Sequence, residues 1–158
     1  MPAASDPSSP APPSMTLPHT WRPFGVRIAS IVLGIGLIAV CALAWIGFDD
    51  ETRARFTTFQ RLTVIGMGLL AFAVWFPLVR SRVVAEPDRL VVVNGYRRRE
   101  YAWAQIVGVH LPPGAPWVTL DLADGSTATA MGIQGSDGSR ARQAVRELRR
   151  TVEQQTPD

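Results

Sequence analysis

The sequence predicts an α+β protein: an N-terminal transmembrane helical hairpin, then a small antiparallel β-sandwich or barrel capped by a C-terminal α-helix. Three observations predict it. Ile28 to Phe48 and Leu62 to Val79 are apolar runs without a charge, and the charged stretch Asp49 to Arg61 separates them. After Ser81 the pattern breaks into short β-type segments punctuated by Asn94-Gly95, Pro112-Pro113-Gly114 and Asp124-Gly125. The chain then closes on Ala141, Val145, Leu148 and Val152, a single apolar stripe at helical spacing.

An uncharged apolar run of about 18 or more residues can cross the roughly 30 Å hydrocarbon core as a helix. Both runs meet that length. Trp21, Phe24, Trp45, Phe48, Trp75 and Phe76 fall near the span ends, where amphipathic rings favour the headgroup layer. Ser30, Gly34, Cys41 and Ala44 on the first span, and Gly66 and Ala73 on the second, form stripes of small residues. Such stripes let two helices approach closely in lipid. Orientation follows the bias of Arg near the span ends. Arg22, Arg27, Arg80, Arg82 and Arg89 flank the outer ends, against Arg53, Arg55 and Arg61 in the loop. Both termini are therefore expected in the cytoplasm, with the chain multi-pass in the inner (plasma) membrane.

Composition narrows the rest. All 16 basic residues are Arg, and the formal net charge is +3. After Ser81, 10 Arg face 9 acidic residues, which is not the concentrated basic face that nucleic acid requires. The lone cysteine, Cys41, lies inside the first span and cannot form an intramolecular disulfide. Residues 1–20 are rich in Pro, Ala and Ser and read as a disordered tail. Met15 is a possible alternative start, and Ala42-Leu43-Ala44 resembles a signal cleavage site, although the apolar run is longer than a usual signal core. The expected organisation is a tail over 1–20, the hairpin over 21–80 and one β domain over 81–158.

Within that domain, Arg82 to Glu86, Arg89 to Val93, Tyr96 to Trp103, Ile106 to Leu111, Trp117 to Leu122 and Ser126 to Met131 read as strands. Asn94-Gly95 reads as a type I′ hairpin turn, because both central residues of that turn need φ > 0. Val118, Leu120 and Leu122 alternate with Trp117, Thr119 and Asp121. Ser136 or Asp137 is expected to cap the closing helix.

The stretch from Val83 to about Gln154 resembles a bacterial pleckstrin-homology (PH) domain, of the type seen in actinobacterial low-molecular-weight antigen proteins with two membrane spans. Asp88 to Gly95, Trp103-Ala104-Gln105-Ile106, Trp117 to Leu122, Asp124-Gly125 and the final stripe carry the resemblance. It implies two antiparallel sheets packed nearly at right angles, with the helix closing one end.

No catalytic constellation is visible. His19 and His110 lie far apart in sequence, and the carboxylates Glu86, Asp88, Asp121 and Asp124 fall in or beside turns, where Asp serves local structure. No metal, cofactor, nucleic acid or small-molecule substrate is expected. The expected function is a non-enzymatic, membrane-anchored interaction module that binds a protein partner or self-associates. The alternatives are an electrostatic sensor of anionic lipid and an accessory subunit of a membrane enzyme or transporter. Arg97, Arg98 and Arg99 are the candidate lipid- or partner-binding residues, set against a solvated strand edge blunted by charge. Trp117, after Pro116, is a candidate contact, set against ordinary sheet packing.

Overall fold

A computed structural model describes residues 16–156. Two long helices, α1 (Phe24–Gly47) and α3 (Thr58–Arg80), form a hairpin around a short helix, α2 (Asp50–Arg55). Both long helices are long and apolar enough to cross a membrane, and neither buries a single residue within the protein. They are therefore not core helices of the β domain. The connection expected as a polar loop is partly helical. Asp49 accepts from the Thr52 amide to start α2, and Thr57 and Gln60 form a reciprocal capping box at the start of α3. Arg53 donates to the carbonyls of Trp45 and Ile46, at 3.2 and 2.7 Å. It satisfies acceptors that the last turn of α1 leaves without amide partners.

The small-residue stripes are used in part. Gly34 faces the Trp75 ring, and Ser30 is half-buried. Gly66 has open space beside it, and Cys41 and Ala44 are exposed. The close approach of the helices therefore lies toward the domain end of α1 rather than along the whole stripe.

The β domain contains two sheets. One has four strands in the order β1 (His19–Trp21), β2 (Arg82–Ala85), β3 (Arg89–Asn94), β4 (Arg97–Ala102), all antiparallel. The other has three in the order β5 (Ile106–His110), β6 (Trp117–Leu122), β7 (Thr127–Gln134). A final helix, α4 (Ser139–Gln155), packs across β5 and β7. Its buried residues are Ala141, Ala144, Val145, Leu148 and Thr151, so the expected stripe is present and Ala144 widens it. Leu148, Leu120, Leu90 and Val83 have no measurable exposure. Each contributes about 1.5–3 kcal/mol by leaving water, which makes this shared core the main support of the domain. The Trp-x-x-Ile step forms a 3₁₀ turn that buries both Trp103 and Ile106, and the Trp103 indole donates to the Glu86 carbonyl.

Three expectations are corrected. The tail expected over 1–20 lies outside the described residues as far as 15, but its end is ordered. His19, Thr20 and Trp21 pair with Ala85, Val84 and Val83, and Leu17 and Trp21 pack on the core. The backbone amides and carbonyls of β2 need partners on that edge, and this segment supplies them. The first hairpin turn is displaced by one residue. Asn94 pairs with Arg97, and Gly95 (φ +62) and Tyr96 are central, with no non-glycine residue at positive φ. Glycine at the first central position is the pattern of a type II′ turn, not I′. Asn94 is thereby freed to bridge the sheets: it donates to the Thr129 carbonyl and accepts from the Met131 amide. Finally, Asp137 does not cap α4, which begins after Gly138 without a side-chain cap. Its carboxylate is engaged elsewhere, as described below.

Where β7 crosses β2, no side chain fits. A Cβ on Gly132 would fall about 2.5 Å from the backbone of Arg82 and Val83. Gly132→Ala is expected to force the sheets apart and cost about 1–3 kcal/mol. Gly36→Ala, with nothing within 4 Å, is expected to be neutral. Thermal unfolding of the full chain in detergent checks both.

Candidate functional site

The Arg run lies on β4, the free edge of the four-stranded sheet. Successive strand residues point to opposite faces, and the three guanidinium groups divide accordingly. Arg98 pairs with Glu100 at 2.7 Å. Glu100 also pairs with Arg89 at 3.1 Å, and Arg89 with Glu86 at 2.8 Å, so a continuous line of alternating charges runs from Arg98 to Glu86. The hydrogen bond to Glu86 raises the Arg89 pKa further above its ordinary value, and the charges of Asp88 and Glu100 add to it. Arg97 and Arg99 share the other face with Tyr101. Both are exposed, and neither forms an ion pair among the described residues. Trp117 opens the central strand of the other sheet, opposite Gln134 at a bulge, and is 37 % exposed. The candidate residues do not converge: they occupy different sheets, and no hydrogen bond or ring contact joins them. His110 pairs with Asp121 at 2.6 Å on an exposed part of the second sheet.

What the structure does bring together is the seam between domain and hairpin. Its first element is the β3–β4 turn against the end of α3. Pro77 lies inside α3, has no amide hydrogen, and so leaves the carbonyl four residues back without its helical donor. That carbonyl belongs to Ala73. The Tyr96 hydroxyl donates to it at 2.7 Å. The Tyr96 ring lies 6.1 Å from that of Phe76. Gly95 sits so close to Pro77 that a Cβ there would come within 2.8 Å of the proline Cβ. Ser81, buried at the exit of α3, donates its hydroxyl to the Pro77 carbonyl and accepts the Gly95 amide. The turn of the β domain thus repairs the hydrogen-bond gap in a helix long enough to span a membrane.

The second element is the start of α1. Pro23 occupies the N-cap position and offers no capping side chain. Asp137, from the turn before α4, supplies the cap from a distance. Its two carboxylate oxygens accept from the Phe24 and Gly25 amides, both at 2.9 Å. A side-chain acceptor at a helix N-terminus contributes about 0.5–2 kcal/mol, and its negative charge suits the helix dipole. Arg140 lies over the Phe24 ring at 3.9 Å, and the Trp21 indole donates to Glu147. Tyr96 was not singled out by sequence reasoning, and Asp137 and Trp21 were assigned other roles, a cap on the closing helix and a ring at a span end. Pro77 was the available signal, because a proline inside an apolar helix leaves a carbonyl that needs a donor.

The fold and this seam define a class: a PH-like β domain whose sheet is interrupted by a helical hairpin long and apolar enough to cross a membrane. Residues 80–151 match the family described as bacterial PH domain. Uncharacterised proteins of Mycobacterium tuberculosis and Mycobacterium bovis are 27 % identical over 141 residues, covering 89 % of this chain and 89 % of each relative. A match of that length runs through both long helices as well as the β domain. No solved structure matches. Strand β1 lies outside the matched family residues although it completes the sheet.

Tyr96→Phe removes the donor to Ala73 and is expected to destabilise the chain by about 1 kcal/mol. In a Pro77→Ala background, where the helix supplies its own amide, the same substitution is expected to cost less. A double-mutant cycle on thermal unfolding in detergent measures that coupling.

Proposed function

We propose that this protein is a non-enzymatic membrane-anchored module. Its hairpin spans the membrane, and its PH-like domain is presented in a fixed attitude at one face to a protein partner or a second copy. The observation that carries this reading is the connection. Only Arg22 and Pro23 separate β1 from α1, and only Ser81 separates α3 from β2. Such links leave no room for a swinging tether. The exposed apolar side chains along both helices, Leu33, Ile38, Ile46 and Leu69 among them, support an apolar solvent for the hairpin. Signal cleavage after Ala44 would remove β1 from its sheet, which weighs against a secreted product. The Arg bias across the hairpin supports cytoplasmic termini in the inner (plasma) membrane, and the β domain then lies on the cytoplasmic side.

The domain offers two surfaces to a partner. One is the free β4 edge with Arg97 and Arg99, and the other is the region around Trp117. A second reading, an electrostatic sensor of anionic lipid, draws on Arg97 and Arg99. Both lie on the strand that leaves the turn seated on α3, and neither carboxylates nor other acceptors among the described side chains neutralise them.

Alkaline carbonate extraction tests the anchor. The full chain is expected to stay with the membrane pellet, and release into the supernatant would overturn the reading. Photo-cross-linkers placed at Arg99 and Trp117 in intact cells test the module. A discrete protein adduct or a dimer is expected, and adducts to lipid alone would favour the sensor instead.

A further inference from the structure

Where β1, the first turn of α1, β7 and α4 meet, there is a cavity of about 300 Å³. Ile133, Ala141 and Ala144 form an apolar part of its lining, and Arg22, Arg140 and Phe24 also border it. Asp137 borders it too, but both of its oxygens already accept backbone amides of α1. Neither Arg22 nor Arg140 forms an ion pair among the described residues, and Arg140 is held over Phe24 at the very start of the helix. From Phe24 an exposed apolar stripe continues along α1 through Ile28, Ile31 and Ile35, at steps of four, three and four. Two cations without ion-pair partners in the lining of a cavity, continued by an apolar stripe, match an amphiphile with a negative head and a hydrocarbon tail.

We propose that this cavity seats the headgroup of one anionic phospholipid from the surrounding bilayer, with an acyl chain along Phe24, Ile28, Ile31 and Ile35. The proposal rests on the anchored reading, which places the start of α1 at headgroup depth. Arg22 and Arg140 bind the phosphate by charge-assisted hydrogen bonds. A zwitterionic lipid would bring its own cation to the same pair and gain less. A free phosphate would use the guanidinium groups and leave the stripe unused. The site is separate from Arg97 and Arg99, which lie on the far edge strand of the same sheet.

The test uses the full chain, purified in mild detergent and offered equal amounts of phosphatidylglycerol and phosphatidylcholine. Bound lipid is read by native mass spectrometry. The unmodified chain is expected to retain phosphatidylglycerol at least about tenfold over phosphatidylcholine, from two cations each favouring an anionic headgroup. Arg22→Gln with Arg140→Gln is expected to lose that preference, and Arg97→Gln with Arg99→Gln to keep it. Equal retention of the two lipids, or loss of preference in both double variants, would overturn the site. Displacement of the lipid by millimolar inorganic phosphate would reassign it to a free anion and overturn the lipid. A check that needs no variant is the unmodified chain's thermal midpoint. It is expected to rise with a short-chain phosphatidylglycerol and not with the matching phosphatidylcholine, and no difference would overturn the proposal. Failure of the anchor itself is read separately, by carbonate release.

Discussion

A single strand pairing governs this molecule. β1 precedes the hairpin and β2 follows it, and the two are hydrogen-bonded neighbours in one sheet. Paired strands lie about 4.8 Å apart, whereas packed helices need about 8–10 Å between axes. The outer ends of α1 and α3 therefore leave the sheet side by side, with one or two residues in which to diverge. Every other contact of the seam follows from that closeness. The β3–β4 turn falls against Pro77, and the turn before α4 falls against the first amides of α1. The domain and the hairpin then answer each other's unsatisfied backbone groups: Tyr96 donates to Ala73, and Asp137 accepts from Phe24 and Gly25.

These bonds differ in weight according to their surroundings. The surface ion pairs around Arg89 are exposed and contribute little each. A backbone carbonyl without a donor inside an apolar environment costs more, because no water can replace the partner. The seam is held by hydrogen bonds to backbone groups that the two helices leave without intrahelical partners, while the ion pairs of β4 lie on an exposed face. This separates two kinds of Arg. Arg89 and Arg98 are paired with carboxylates within the fold, and Arg22, Arg97, Arg99 and Arg140 form no ion pair among the described residues.

Much of the architecture was legible from periodicity. The two apolar runs became α1 and α3, with additional turns where Phe24 and Thr58 begin them. The clean alternation of Val118 and Leu120 with Trp117 and Thr119 fixed β6 at its observed limits. Strand β1 was not legible, because three residues after a proline carry no alternation and the partner strand lies beyond the entire hairpin. The turn at Gly95 was misread by one residue, since Asn-Gly favours type I′ locally but Asn94 gains two bonds to β7 by remaining in the strand. Asp137 was assigned to the nearest helix in sequence, whereas α1 in space had two free amides and no cap of its own. Both errors came from weighing local propensity where tertiary partners decided. The candidate Arg run was correctly placed on a strand with alternating faces, but nothing in its spacing revealed that Arg98 would be claimed by Glu100.

Through the pairing of β1 with β2 the β domain and the hairpin should move as one body. A distance between them in a bilayer tests this. Spin labels at the native Cys41 thiol, which is exposed on α1, and at Ser126→Cys, in the exposed β6–β7 turn, report it by pulsed electron resonance in lipid nanodiscs. The account expects one narrow distance distribution that does not change with lipid composition. A broad or multi-peaked distribution would mean that the domain swings on the hairpin, and the pairing of β1 with β2 could not then be what holds them.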